Sequence, residues 1–381
     1  MNAPSEIFLV AVPGLEQPLA EEAVAMGFAQ VAIVPGGVTI AGGWPEVWRA
    51  NLVLRGASKV LARIGSFRAL HLAQLDKRAR KFPWGDFLRP DQPVRVEAST
   101  HQSRIYHAGA AAQRVARALT EDFGATVITD PKAADGPTPP IGIKVRIEDD
   151  LVTISLDTSG EGLHKRGHKA QVNKAPMRET MAAMFLRQCG YTGEGAGAFP
   201  VLDPMCGSGT FMIEAAEMAL GLQAGRARAF AFERFAAFDA AAWDKIRAPQ
   251  APRATDLRFY GSDRDGGAAA MSRNNAKRAG VEGICDVRHL PISDLTAPEG
   301  PKGLVIVNPP YGTRIGERKP LFGLYGAFGQ IMTERFQGWR VAMITTDAGL
   351  AKATNLPFLP PGPPVAHGGL KVTLWQTAPL A

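Results

Sequence analysis

The run Gly303-Leu304-Val305-Ile306-Val307-Asn308 constrains the fold more than any other part of this sequence. Its four central residues are all apolar, so both faces of the segment must be covered. A short strand apolar on both sides belongs inside a parallel sheet with helices on each face. Other short apolar stretches, 199–202, 257–261 and 341–345, predict further strands. Between them lie helical patterns at 209–220, 267–279 and 320–335. Such alternation from about residue 175 onward predicts a doubly wound α/β domain with a mostly parallel sheet. The Pro/Gly-rich stretches 248–254, 296–303 and 356–369 read as its loops, and there is no internal repeat.

The first 160 residues follow a different pattern. Segments 8–12, 38–40, 94–98, 142–147 and 151–156 are strand-like and often alternating, whereas 15–26, 45–54 and 105–123 are helix-like. That mixture predicts small α+β units ahead of the Rossmann-like domain. We therefore expect three parts: 1–45, 46–157 and 158–381.

With 46% hydrophobic and 21% charged residues the chain is neither disordered nor fibrous. The first residues carry no basic region, and the apolar stretch 8–12 is too short for a signal peptide or a membrane span. Cys189, Cys206 and Cys285 are far apart and the seven histidines are scattered. We expect neither a disulfide framework nor a metal site, and a cytoplasmic location.

Net charge is +7, but its distribution says more. Residues 1–48 contain five acidic side chains and no basic one. Arg49, Arg55, Lys59, Arg63, Arg68, Lys77, Arg78, Arg80 and Lys81 then follow against the single Asp76. A second block holds Lys165, Arg166, Lys169, Lys174 and Arg178 with no acid. Clusters of this kind suit a polyanionic partner, and suit equally a solvated surface.

Three motifs carry chemistry. Asp203-Pro204-Met205-Cys206-Gly207-Ser208-Gly209-Thr210 follows a strand and opens a helix. Its glycines permit a sharp turn close to a ligand, and the helix start supplies unsatisfied N–H groups. The spacing is neither that of a dinucleotide fingerprint nor that of a P-loop. Next, Asp263 ends the following strand, where a carboxylate can accept hydrogen bonds from ribose hydroxyls. Finally, Asn308-Pro309-Pro310-Tyr311 closes the buried strand. Two prolines lock the backbone and remove two donors, leaving carbonyls and the Asn308 amide oxygen as acceptors. Acceptors there can grip the N–H groups of an exocyclic base amine and favour the geometry in which its nitrogen attacks. Tyr311 offers a face on which a flipped base stacks.

With these motifs in order, the chain resembles the THUMP-domain-containing class I RNA methyltransferases. Residues 201–216, 261–280, 308–314 and 324–338 carry the likeness, with 162–168 and 175–180 as the entry segment. Residues 98–119 are similar to the THUMP module, and 8–27 with 34–38 to a small ferredoxin-like unit before it. The resemblance implies S-adenosylmethionine as cofactor, held by the Asp203–Thr210 loop and by Asp263, with Pro176 and Thr180 near its methionine end. It implies catalysis by Asn308, Pro309, Pro310 and Tyr311, with no metal. Where this family usually has an Asp at the adenine, Pro291 stands, so Asp294 or backbone near Leu290 takes that part. Within the family the likeness is greatest to bacterial enzymes forming N2-methylguanosine in 23S ribosomal RNA. Some bacteria fuse that enzyme to a second methyltransferase domain, which we do not expect in this chain. The expected partner is RNA, either 23S rRNA or its precursor, with tRNA as the alternative, and no membrane. Less favoured are a DNA adenine-N6 methyltransferase and an RNA-binding factor without catalysis.

Overall fold

A computed structural model describes residues 3–130, 139–169, 177–312 and 318–381. The first half of the chain supplies β1 (Glu6–Val10), α1 (Glu16–Ala25), β2 (Ala29–Val34), β3 (Gly37–Ala41), α2 (Trp44–Val53) and β4 (Lys59–Arg68). It continues with α3 (Leu72–Arg80), β5 (Val94–His101), α4 (Ala108–Ala118), β6 (Ile141–Glu148) and β7 (Leu151–Asp157). The rest gives α5 (Glu179–Gln188), β8 (Val201–Asp203), α6 (Thr210–Ala219), α7 (Ala240–Ile246), β9 (Phe259–Asp263), α8 (Gly266–Ala279) and β10 (Cys285–His289). It closes with β11 (Leu304–Val307), α9 (Arg318–Arg335), β12 (Arg340–Thr345), α10 (Ala348–Ala353), β13 (Val365–His367) and β14 (Leu370–Gln376).

Two compact units emerge. The first comprises residues 1–11, 20–163 and 228–249, and the second 12–19, 164–227 and 250–381. In the first, one sheet runs in the order β2-β3-β1-β4-β7-β6-β5. All its pairs are antiparallel except β5 with β6. On β6 the buried Ile141, Ile143, Val145 and Ile147 alternate with Gly142, Lys144, Arg146 and Glu148, so one face is core and the other polar. Sequence reading did not anticipate β4, because its lysine and arginines read as a charge block. Val60, Ala62 and Ile64 alternate with them and are buried.

Residues 228–249, expected in the C-terminal domain, belong to the first unit. The reason is aromatic. Trp48 lies 6.0 Å from Phe232 and 5.8 Å from Phe238, and Trp44 lies 6.0 Å from Phe235, centroid to centroid. Such pairs each add about 0.5–1.5 kcal/mol beyond the area they bury.

The second unit is the α/β domain that the alternation predicts. Its strand order is β10-β9-β8-β11-β12-β14-β13, parallel from β10 to β12, with β14 antiparallel to β12 and to β13. The chain moves outward from β8 to β10 on one side, then crosses back so that β11 lies on the other side of β8. This reversal opens a crevice beyond the carboxyl ends of β8 and β11, where doubly wound sheets bind ligands. All four residues of β11 are 1% exposed or less, as the opening run requires. Trp339, Phe336, Phe328 and Tyr325 fill the core on its flank.

Candidate active site

The loop after β8 enters α6 at Gly209, whose φ of 83° lies in the left-handed region, as does the 53° of Gly207. A Cβ at Gly209 would lie 3.1 Å from the Ser272 hydroxyl, so glycine there meets both a torsional and a steric demand. No side chain caps α6, so its first N–H groups are left to the crevice. The loop is tied down at several points. The Cys206 N–H donates to the Ser262 carbonyl at 2.9 Å, the Ser272 hydroxyl to the Gly207 carbonyl at 2.8 Å, and the Asn275 amide to the Ser208 carbonyl at 2.9 Å. Cys206 is buried with Sγ 3.4 Å from the Ser272 hydroxyl, and burial pushes its thiol far up. Burial holds Cys189 and Cys285 up at about 12 as well, so none of the three is an ionised nucleophile at neutral pH.

Asp203 is 3% exposed, and its Oδ1 accepts the Met205 N–H at 3.1 Å. Burial, then the neighbouring Asp263, raise its carboxyl to about 8 against the pull of that hydrogen bond. Asp263 accepts the Gly207 N–H on Oδ2 at 3.0 Å and the Asp265 N–H on Oδ1 at 2.9 Å. Each carboxylate oxygen has a further acceptor direction, so the group can still receive a pair of hydroxyls.

The Leu290 N–H donates to the Asp263 carbonyl at 3.0 Å. Leu290, like Met205, Tyr260, Ile292 and Tyr311, is partly buried and packs against the apolar core. Asp294 is exposed, and its Oδ1 accepts the Ser293 hydroxyl at 3.0 Å. At the other end, Thr180 is 1% exposed in the first turn of α5, and the Met177 carbonyl accepts the Thr210 hydroxyl at 3.4 Å. Pro176 lies outside the described residues.

One bond beyond β11 stands Asn308. Its Oδ1 is buried and has no hydrogen-bond partner among the described residues. An unsatisfied buried acceptor costs about 1–3 kcal/mol, which a ligand donor can recover. Pro309 is buried and Pro310 exposed, while Tyr311 is half-buried with its phenol raised by burial. Val201 and Leu202 of β8 pair with Leu304 and Val305 of β11, which sets the Asp203–Thr210 loop beside Asn308.

The sequence missed a group of buried charges behind the loop. Arg166 pairs with Glu214 through Nε–Oε1 at 3.0 Å, at side-chain exposures of 1% and 0%. Lys169 bridges the Glu179 carboxylate at 3.0 Å and the Thr210 hydroxyl at 2.8 Å. His168 Nδ1 lies 3.7 Å from Glu217, and burial lowers its pKa. These groups surround a small cavity lined by His168, Lys169, Glu179, Ser208, Thr210, Ile213 and Glu214. The signal lay in Glu214 and Glu217, acids inside an otherwise apolar helix. Arg166 and Lys169 are therefore fasteners of the loop rather than part of a polyanion footprint.

The first basic block is thinned in the same way. Lys59 pairs with Asp157, Arg63 with Glu6, and Arg80 with Asp76 at 2.9 Å and Glu121 at 2.7 Å. Lys77, Arg78 and Lys81, at the end of α3, stay exposed. Among the described residues no cluster of His, Cys, Asp and Glu could hold a metal ion, and no helix is long and apolar enough to cross a membrane.

A doubly wound sheet with this strand order, a glycine loop after its central strand and an Asn-Pro-Pro-Tyr turn after the next defines a class I methyltransferase domain. The chain belongs to the family described as RMKL-like, methyltransferase domain, which matches residues 166–357, and the RlmL ferredoxin-like domain matches residues 6–61. Among curated proteins it is 34% identical over 361 residues to a ribosomal RNA large subunit methyltransferase K/L of Syntrophotalea carbinolica, covering 92% of this chain and 50% of that protein. It is 30% identical to the protein of the same name from a Marinomonas species, covering 97% of this chain and 52% of the relative. The chain thus spans about half the length of the curated relatives it matches. Among solved structures, a putative methyltransferase complexed with SAH superposes with a TM-score of 0.85 at 25% identity over 100% of both chains. A predicted N6-adenine-specific DNA methylase from Listeria monocytogenes gives 0.84 at 27% identity, over 98% of this chain and 96% of that one.

Proposed function

We propose that this protein methylates an exocyclic base amine in RNA with S-adenosylmethionine, and that the base is guanine, at N2, in large-subunit ribosomal RNA. The observation that carries the chemistry is the buried, unpartnered Oδ1 of Asn308 at the end of β11. An amide oxygen held there receives an amine N–H and nothing else within the described residues. Accepting that hydrogen draws the nitrogen lone pair out of conjugation with the ring and so strengthens the nucleophile.

The residues beside it fit the cofactor. The uncapped start of α6 leaves N–H groups, and the left-handed Gly207 and Gly209 leave space, for its amino-acid end, with Asp203, Pro204, Met205, Cys206, Ser208, Thr210 and Thr180 as the residues to hold it. The spare acceptor directions of Asp263 suit the ribose. Leu290, bonded to Asp263 and packed, like Met205 and Ile292, against the apolar core, suits the adenine better than the exposed Asp294. When bound, the cofactor supplies an electrophilic methyl on a sulfonium. Tyr311 stacks the target base, Asn308 holds its amine, and the proton leaves to solvent after transfer.

RNA as substrate is supported by the names of both curated relatives and by the exposed Lys77, Arg78 and Lys81. The THUMP reading of residues 46–157 gives those cations a role in holding the phosphate backbone. A ribosomal substrate implies work in the cytoplasm. The test is nucleoside mass spectrometry on separated ribosomal and transfer RNA from a deletion strain. Loss of N2-methylguanosine from the large-subunit RNA alone is the expected result. Loss from transfer RNA would move the substrate there, loss of N6-methyladenosine would change the base, and no loss anywhere would overturn the reading.

A further inference from the structure

Behind the catalytic turn lies a chain of hydroxyls whose direction can be deduced. Tyr325, in α9, is 1% exposed, and its Oη lies 3.3 Å from the Pro310 carbonyl oxygen and 3.4 Å from Thr345 Oγ1. The Thr345 hydroxyl, buried at the end of β12, also receives the Asp347 N–H at 3.3 Å. A carbonyl only accepts, so the single Tyr325 proton goes to Pro310. Thr345 must then donate its own proton to Tyr325, while Asp347 N–H donates to Thr345. The relay runs one way, from the α10 N-terminus into the Asn308–Tyr311 turn. Burial raises the Tyr325 phenol to about 12, which keeps the donor protonated throughout the working range.

We propose that Tyr325 is a positioning residue for methyl transfer. By holding the Pro310 carbonyl against α9 it fixes the Pro310–Tyr311 peptide plane and so pins the end of the turn, keeping Tyr311 in place and Asn308 Oδ1 and the Pro309 carbonyl as the two acceptors presented to the amine. This rests on the amine-methylation reading above. Proline already removes the N–H groups and restricts φ at both positions, leaving ψ as the torsion to be set. The Tyr325 bond sets it from outside the site. Both hydroxyl contacts exceed the optimum of about 2.7–2.8 Å, as catalytic hydrogen bonds often do before substrate binds, so the contribution is modest.

The test is methyl transfer to in vitro transcribed 23S ribosomal RNA by wild type, Tyr325→Phe, Thr345→Val, Thr345→Ser and Asn308→Ala. Tyr325→Phe should lower kcat about tenfold, the worth of one net hydrogen bond, with KM for RNA and cofactor affinity within about twofold of wild type. Thr345→Val should fall between the two, and Thr345→Ser, which keeps the donor, should restore wild-type turnover. A Tyr325→Phe enzyme with full kcat, or one whose loss lies in KM or in cofactor affinity, would overturn the inference. Equal loss in Thr345→Ser and Thr345→Val would overturn it too. Failure of the underlying reading looks different: Asn308→Ala would then retain activity.

Discussion

The backbone N–H of Gly207 donates to the Asp263 carboxylate at 3.0 Å, so two strands that each end in an acid are joined through a glycine of the loop between them. Asp263 is thus a structural clasp, beside the ribose-accepting role proposed for it. Replacing it by Ala should release the loop and weaken S-adenosylmethionine binding by about tenfold or more, the cost of a charged hydrogen bond. Turnover at saturating cofactor should change much less. Titration calorimetry checks the affinity, and unchanged binding would remove the clasp from the argument.

Asn308 invites the converse result. Asn308→Ala should bind cofactor nearly as wild type and lose about 10²-fold or more in turnover, by analogy with deleting one oriented polar group from a catalytic site. Since its Oδ1 has no partner among the described residues, the variant should also unfold no more easily than wild type. Activity and thermal unfolding measured together test both statements.

The buried Arg166–Glu214 pair predicts a large effect on stability. Glu214→Ala removes a carboxylate from a guanidinium that is itself 1% exposed, and should cost about 3–5 kcal/mol in urea unfolding. Changing Arg166→Met together with Glu214→Leu should recover much of that loss, because apolar residues of similar size fill such sites well. A small effect of the single change would mean that water reaches the pair.

Asp203 gives a pH dependence. Its carboxyl titrates at about 8 in the folded protein against roughly 3.9 in an unfolded chain. A raised carboxyl pKa means that the folded state binds the proton more tightly. The stability it contributes is full below the unfolded value and is lost as pH rises through about 8. Without cofactor, wild type should therefore lose melting temperature between pH 6 and pH 9 more steeply than Asp203→Asn. Parallel curves for the two proteins would contradict the assignment.

The sheet and the three motifs were legible because each is local. A strand apolar on both faces, a glycine loop opening a helix and a double proline are short-range statements, and the structure keeps β8, β9 and β11 where they put them. Partners far apart in sequence could not be read. Arg166 and Lys169 look like solvated cations until Glu214 and Glu179 are brought to them by packing. The clustered positive charges of β4 hid its apolar alternation, and their acids arrive from Glu6 and Asp157. No periodicity announces that Phe232, Phe235 and Phe238 are meant for Trp44 and Trp48.

That aromatic return has a consequence for synthesis on the ribosome. Residues 1–163 emerge first, and Trp44 already has Phe87 beside it, yet the aromatic partners Phe232, Phe235 and Phe238 of Trp44 and Trp48 follow much later. The first unit cannot finish folding until residue 249 is made, after residues 164–227 of the second, unlike an ordinary leading domain. Its two tryptophans wait for those partners while the cofactor loop is already being made. A nick after residue 163 would likewise leave the amino-terminal piece short of its own aromatic layer, so no single cut divides the chain into its two units.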